Sequence, residues 1–412
     1  MKSPSLAFKC KTQNSSSVQE FLNSVTKTVE NTQEQFDAIP KLSLEFPYRH
    51  CFESDVTRFV NQAVKSNVQE LNLILKNGDH NLNAFLQRDN HDFHDIFPLP
   101  PFLKWNSFLE KLNLSMCSFD SVQEIKWVFL KELKIGHICL GTENNSYIEK
   151  IVAGCPVLEV LELCSCWGFN KLNFDNLTTL NKFVLNGIWP DYEKDCEILT
   201  ISAPSVKILE ILGNIDKMNL VLENMGNCVE AKIDYFWTYG EHNQQSGGCS
   251  INILQQVFNT LKDVQILTCG TWIIEIMSRK CETNVPFDLQ KCNSLTLHTQ
   301  VEYRYQRGIL HFIESCPNVE TLIIRASRSH PKCEICIYDC VVDDSKGLIV
   351  DDSSNDTATH EIRRSEYSEN LGFRFKILKI FGCGEGAHYG NLPPFLKYLV
   401  DNANCWKKIV IE

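Results

Sequence analysis

The sequence predicts an α/β fold: an irregular solenoid whose parallel strands alternate with helices, closed by a cap at each end. Three observations predict it. A six-residue phrase with apolar residues at positions one, four and six recurs along the chain. From Leu109 to Val319 its copies start roughly 20 to 32 residues apart, about the length of one strand and one return segment. The segments between copies carry apolar residues at three- and four-residue spacing, which is helical.

The elements follow in chain order. Ser17 and Glu20 form a capping-box pair ahead of Val18, Phe21, Leu22, Val25 and Val29, which predicts a helix over 17–39. A second helix is predicted over 55–65. The phrases then read VQELNL from Val68, LEKLNL from Leu109, LKELKI from Leu130, LEVLEL from Leu158, LNKFVL from Leu180 and VKILEI from Val206. Later copies are LKDVQI from Leu261, VETLII from Val319 and FKILKI from Phe375, with weaker ones at 229–234 and 292–297. The last two apolar residues of a phrase lie two apart, so on a strand both point to one face. A single strand cannot cover that face, so neighbouring repeats must stack over a continuous core, which makes the array a leucine-rich-repeat solenoid. Helical returns are predicted at Ile148, Ile151 and Val152, at Ile251, Leu254, Val257, Phe258 and Leu261, and at Ile309, Leu310 and Ile313. The resulting division is a helical cap over 1–66, repeats over 67–325, a cysteine-containing and acidic flexible insertion over 326–370, and a C-terminal region over 371–412.

Composition narrows the function classes. The 412 residues are 43% hydrophobic and 22% charged, enough apolar content for a large core. A net charge of -11 disfavours a polyanion partner, so nucleic acid is not expected. No run of about 18 apolar residues suggests a membrane span, and no export signal is read, so a cytoplasmic or nuclear protein is expected. The 19 cysteines are then reduced thiols. Cys117, Cys166, Cys269 and Cys383 each lie about three residues after a phrase, where repeats of this kind place Asn or Cys to satisfy a turn.

Motifs for chemistry are few. His330, Cys333, Cys336 and Cys340 offer four soft ligands in a short span, but at no standard zinc spacing, so zinc is a distant alternative and no cofactor is expected. Cys164 and Cys166 are expected on one strand face rather than in a redox motif. The glycines of FGCGEG lack a following Lys-Ser/Thr and read as a turn, and the Glu241-His242 neighbourhood reads as a loop. No catalytic motif anchors an enzyme reading.

Surface recognition is what remains. Outward strand positions include Lys111, Asn113, Ser115, Glu132, Lys134, Glu162, Cys164, Glu210, Asp263, Gln265, Thr321, Ile323 and Arg325. Of these, Lys111, Asn113, Lys134, Glu162, Glu210, Gln265 and Arg325 are the partner-binding candidates, on the extended face that solenoids use to bind proteins.

The segments FLNSVTKTV, IPKLSLEF, DVTRFVNQAVKSNVQELNLIL, IVAGCPVLEVLEL, LTISAPSVKILEILG, VLENMGNCVEAKIDY and FIESCPNVETLII, in that order, resemble the plant F-box proteins with leucine-rich repeats and a C-terminal FBD-type domain. FKILKIFGCGEGAHYGNLPPFLKYLVDNANCWKKIVIE looks like the closing FBD segment, a strand, a helix and a short strand. The resemblance implies the substrate-recognition part of an SCF-type ubiquitin ligase, without catalysis. An F-box of roughly 40 residues, which docks a Skp-type adaptor, is expected to open such a chain and is not read here, so adaptor binding is in doubt. The alternative is an F-box-less interaction protein competing for the same target.

Overall fold

The computed structural model describes residues 4–411 except 13, 37, 78–94, 120–123, 143–144, 189–196, 216–217, 237–246, 280–286, 300–302, 327–374, 383–393 and 402–407. Fourteen strands form one sheet. They are β1 (Ser5–Lys9), β2 (Lys41–Tyr48), β3 (Glu70–Asn77), β4 (Lys111–Ser115), β5 (Glu132–Gly136), β6 (Val160–Cys166) and β7 (Lys182–Ile188). Then come β8 (Ile208–Asn214), β9 (Glu230–Phe236), β10 (Ile266–Cys269), β11 (Ser294–Thr299), β12 (Thr321–Ala326), β13 (Ile377–Phe381) and β14 (Lys408–Ile411). Spatial order follows chain order, and every neighbouring pair is parallel.

The phrases explain this order. Leu71, Leu112, Leu133 and Leu161 are register partners, as are Leu73, Leu114, Ile135 and Leu163, and all are buried. Each such side chain withdrawn from water stabilises the fold by about 1.5–3 kcal/mol, but only when the next repeat covers it. The first apolar position of the phrase anchors the turn before the strand: Val68, Leu109, Leu130, Leu158, Leu180 and Val206 are fully buried. Beside it, successive turns are tied by backbone bonds. Lys131 and Glu132 N–H donate to the Glu110 carbonyl at 2.8 and 3.0 Å, and the same pair of bonds recurs down to Lys376 and Ile377 on Glu320.

Two phrases are out of register. The weaker one read at 229–234 is built from Cys228, Ala231 and Ile233, one residue earlier. The repeat expected as LKDVQI is built instead from Val264, Leu267 and Cys269, three residues later, because Cys269 pairs with Ile233 and Leu297 in the second inward column. Leu261 belongs to the turn that closes the preceding helix, where its N–H bonds the Val257 carbonyl. A spacing of three from Leu261 to Val264 imitates the phrase, and a thiol in a leucine slot hides the true one.

Most of the described return segments are of two kinds; between β3 and β5 a 3-10 turn at Pro101–Trp105 and a two-residue strand pair stand instead. Helices are α1 (Ser15–Gln35), α2 (Glu53–Lys65), α3 (Tyr147–Gly154), α4 (Gly247–Thr260), α5 (Thr271–Arg279), α6 (Tyr303–Ser315) and α7 (Pro394–Asp401). After β6, β7 and β8 the chain returns through short strands, Lys171–Asn173, Glu197–Ser202 and Met218–Glu223, which form a parallel sheet of their own. Here the helix–turn–strand unit gives way to strand–turn–strand. The buried residues explain it: Leu199 with Ile201 and Leu220 with Leu222 are spaced by two, the period of a strand.

The first 66 residues hold α1 and α2 and also extend the sheet by β1 and β2, which adds strands to the helical cap expected there. The α1 cap also differs from expectation. Asn14 accepts the Ser16 N–H on its Oδ1 at 3.0 Å, so the helix begins two residues before the Ser17–Glu20 pair. Over the C-terminal region, β13, α7 and β14 follow the expected order of strand, helix and strand. The acidic insertion over 326–370 lies, beyond Ala326, outside the described residues, as do His330, Cys333, Cys336, Cys340, Cys383, Glu241 and His242.

Candidate protein-interaction surface

One face of the sheet covers the core, and the other carries the residues between the apolar positions. Those residues stand in three rows. The first runs Lys41, Glu70, Lys111, Glu132, Val160, Lys182, Ile208 and Glu230. It continues through Ile266, Ser294, Thr321, Ile377 and Lys408. The second row includes Asn72, Asn113, Lys134, Glu162, Val184, Glu210 and Lys232, then Thr268, Thr296, Ile323, Lys379 and Val410. Parallel strands lie about 4.8 Å apart, so neighbours in a row are within side-chain reach.

Over β1–β8 that proximity pairs opposite charges. Lys111 meets Glu132 at 2.6 Å, Lys134 meets Glu162 at 2.6 Å, and Lys182 meets Glu210 at 2.5 Å. Lys41 meets Glu70 at 2.5 Å, while Glu45 takes both Lys76 at 2.6 Å and Lys9 at 2.8 Å. Burial of Glu45 works to raise its pKa, but Lys76 and Lys9 outweigh it and hold the carboxyl below the ordinary range. Lys111 is pushed up by its hydrogen bond to Glu132.

Four of the seven candidates read from sequence, Lys111, Lys134, Glu162 and Glu210, are therefore engaged by a neighbouring strand. Asn113 stands between Asn72 and Lys134 in the second row, half-buried. Gln265 is exposed but precedes β10, in the turn, a consequence of the register shift; Ile266 and Thr268 are the outward residues of that strand. Arg325 is exposed on β12, with its guanidinium carbon 4.9 Å from the centroid of the Phe381 ring.

The third row adds a feature that the phrases do not show. Asp234 Oδ2 lies 3.1 Å from His298 Nδ1, although β10 runs between their strands. The residue between them is Gly270, and a Cβ there would fall 1.7 Å from Asp234 Oδ1. Only glycine leaves the carboxylate room to cross. Aligning Val264, Leu267 and Cys269 as the repeat would have placed Gly270 there and exposed this pair; the sequence reading shifted by three residues could not.

Among the described residues most thiols are buried. Cys117 Sγ and Cys166 Sγ lie 3.5 Å from the Ser115 and Ile135 carbonyls, and burial pushes the Cys166 thiol up to about 12. Cys164 and Cys166 do not share a face as expected. Ser165 between them is left-handed, with φ of 49°, so Cys164 turns to Glu162 Oε1 at 3.3 Å while Cys166 enters the core. Among the described residues no cluster of three or more His, Cys, Asp or Glu side chains is placed to hold a metal ion. No described helix is long and apolar enough to cross a membrane.

A long parallel sheet with one face sealed by returning segments and one open, polar face defines a leucine-rich-repeat domain, a protein-interaction module. The chain belongs more narrowly to the plant F-box/LRR-repeat family: residues 38–347 match the LRR domain of the At1g61320/AtMIF1 type. Among similar proteins, the Arabidopsis thaliana F-box/LRR-repeat protein At3g03360 is 24% identical over 331 residues, covering 77% of this chain and 62% of that protein. The F-box/LRR-repeat protein At5g02910 of the same plant is 22% identical over 246 residues, covering 59% of this chain and 51% of that protein. The chain spans about three-fifths of the length of the first curated relatives it matches, 60% to 62%.

Proposed function

We propose that this chain is the target-recognition part of an F-box/LRR-type component of an SCF ubiquitin ligase, acting in the cytoplasm or nucleus and binding its target without catalysing a reaction. The observation that carries this reading is the uninterrupted outer face of fourteen parallel strands. Every strand between β1 and β14 is laddered on both sides, so along the face side chains are what is offered to a partner. The segments before β3 and after β12 close the two ends, and β13, α7 and β14 are the FBD-type cap. Binding to a Skp-type adaptor is the part of this reading that the outer face does not carry.

Two measurements test it. Proximity labelling in plant cells compares the chain with a variant carrying Lys134→Ala, Glu162→Ala, Glu210→Ala and Arg325→Ala. Recognition by the outer face predicts that specific neighbours disappear while the melting transition stays within about 1 kcal/mol of the parent. An unchanged set of neighbours would place recognition elsewhere. Calorimetry against a Skp-type adaptor, with a full-length relative as control, decides whether the ligase link runs through this chain itself.

A further inference from the structure

The charges on the outer face are distributed unevenly. Over β1–β8 its charged residues are Lys9, Lys41, Lys76, Lys111, Lys134 and Lys182 against Glu45, Glu70, Glu132, Glu162 and Glu210, and every one of them is in an ion pair. Over β9–β14 they are Lys232, Arg325, Lys379 and Lys408 against Glu230 and Asp234, two more cations than carboxylates. Asp234 is already taken by His298. Among the described residues, none of those four cations has a carboxylate within ion-pair distance. This end of the face is thus cationic on a chain whose net charge is -11.

The last three strands arrange these cations in a line. Arg325 is in the third row of β12, Lys379 in the second row of β13 and Lys408 in the first row of β14, so each step moves one strand across and two residues back. With strands about 4.8 Å apart and about 3.3 Å per residue, the step is roughly 8 Å. Side chains on one face of an extended peptide repeat every 6.6 Å or so. Long lysine and arginine stems absorb the difference. Apolar side chains fill the positions between: Ile323, Ile377, Phe381 and Val410 are all partly exposed there. The Phe381 ring supports the Arg325 guanidinium from one side and leaves its N–H edge free for a carboxylate, to which two parallel hydrogen bonds can form.

We propose that the outer face of β12–β14 docks an extended acidic segment of a protein partner, its alternate carboxylates on Arg325, Lys379 and Lys408 and its apolar side chains against Ile323, Ile377 and Phe381. The proposal rests on the reading of the outer face as the recognition surface and names what that surface takes at this end.

The test is fluorescence anisotropy on the full chain with a labelled peptide of about twelve residues that alternates glutamate with leucine, and with its glutamine counterpart. The glutamate peptide is expected to bind at least about tenfold more tightly, and to lose about tenfold in affinity with Arg325→Glu plus Lys379→Glu, while Lys41→Glu plus Lys182→Glu leaves it unchanged. Melting curves confirm that both variants fold. Equal binding of the two peptides overturns the proposal. Loss of affinity in the Lys41/Lys182 variant alone overturns the assignment to β12–β14 and leaves the recognition face standing. Insensitivity to both variants, together with unchanged proximity labelling in the four-alanine variant, overturns the proposal and the face together.

Discussion

The outer face has two ends built on one backbone pattern and finished differently. From β1 to β8 lysines and glutamates stand opposite one another across strands, and from β9 to β14 threonines, isoleucines and cations with no carboxylate partner among the described residues take those places. The number of charges on a surface is therefore a poor guide to where it binds. A lysine whose carboxylate comes from the next strand gains a fraction of a kcal/mol and has to give that up before meeting a partner. A lysine without such a neighbour is available at no cost. The return segments change along the same axis: short strands follow β6–β8, whereas helices α4, α5 and α6 separate β9 from β12. Phe258 of α4 and Phe312 of α6 pack with Phe287, their ring centroids 4.6 to 5.7 Å apart.

The comparison breaks first if the two ends fold independently. Their buried residues form one continuous cluster, so a charge placed in one end should destroy both. Leu163 is fully buried on β6, and Leu163→Asp leaves a carboxylate there without a partner. A loss of about 4 kcal/mol or more is expected, with the cooperative melt abolished and acidic-peptide binding at β12–β14 lost with it. A variant that still bound the peptide would show the C-terminal end to be a separate folding unit.

Acid should sharpen the contrast next. His137, after β5, and His311, in α6, are each held down to about 4 by burial, from an ordinary value near 6.5. A pKa depressed by folding means that the stability is complete above about 6.5 and is lost as pH falls through the window towards 4, on the order of 3 kcal/mol per histidine. His311 packs edge-on to Phe287, and its Nε2 has no hydrogen-bond partner among the described residues. His311→Leu is therefore expected to cost little at pH 7, because an unpaired buried nitrogen is removed, and to protect the C-terminal helices at pH 5. Hydrogen exchange resolved by segment checks this: the protection lost by 303–315 between pH 7 and pH 5 should be smaller in His311→Leu than in the parent. An equal loss in the two proteins would mean that His311 is not the group being charged.

How much of this the sequence shows depends on which apolar residue fills each slot. Where leucine, isoleucine or valine does, as in LEKLNL over LKELKI, the register follows from the phrases alone, and so does the pairing of Lys111 with Glu132, had the phrases been laid over one another. Where cysteine does, the pattern misleads. Cys269 hid the β10 register, and with it the position of Gln265 and the crossing of Asp234 over Gly270. The strand returns after β6–β8 were equally open to reading, since Leu199 with Ile201 and Leu220 with Leu222 alternate with period two. That Arg325, Lys379 and Lys408 have no carboxylate partner among the described residues was not, because it depends on what three successive strands place beside each other and not on any one phrase.

The smallest expected effect tests the premise of the comparison most directly. Lys134 and Glu162 are 2.6 Å apart with side chains 37% and 22% exposed, so solvent screens their attraction and a coupling of about 0.2–1 kcal/mol is expected from a double-mutant cycle of Lys134→Ala and Glu162→Ala. Raising the salt concentration should shrink it further. The matching cycle at the other end, Arg325→Ala with Lys379→Ala, should give a coupling near zero or slightly of the opposite sign, since two cations on adjacent strands repel and neither has a carboxylate to lose. Chemical denaturation of the four proteins in each cycle resolves the difference. A coupling at Lys134–Glu162 indistinguishable from that at Arg325–Lys379 would mean that the cross-strand pairs are too weak to hold their side chains, and that the N-terminal end of the face is as free to bind as the C-terminal end.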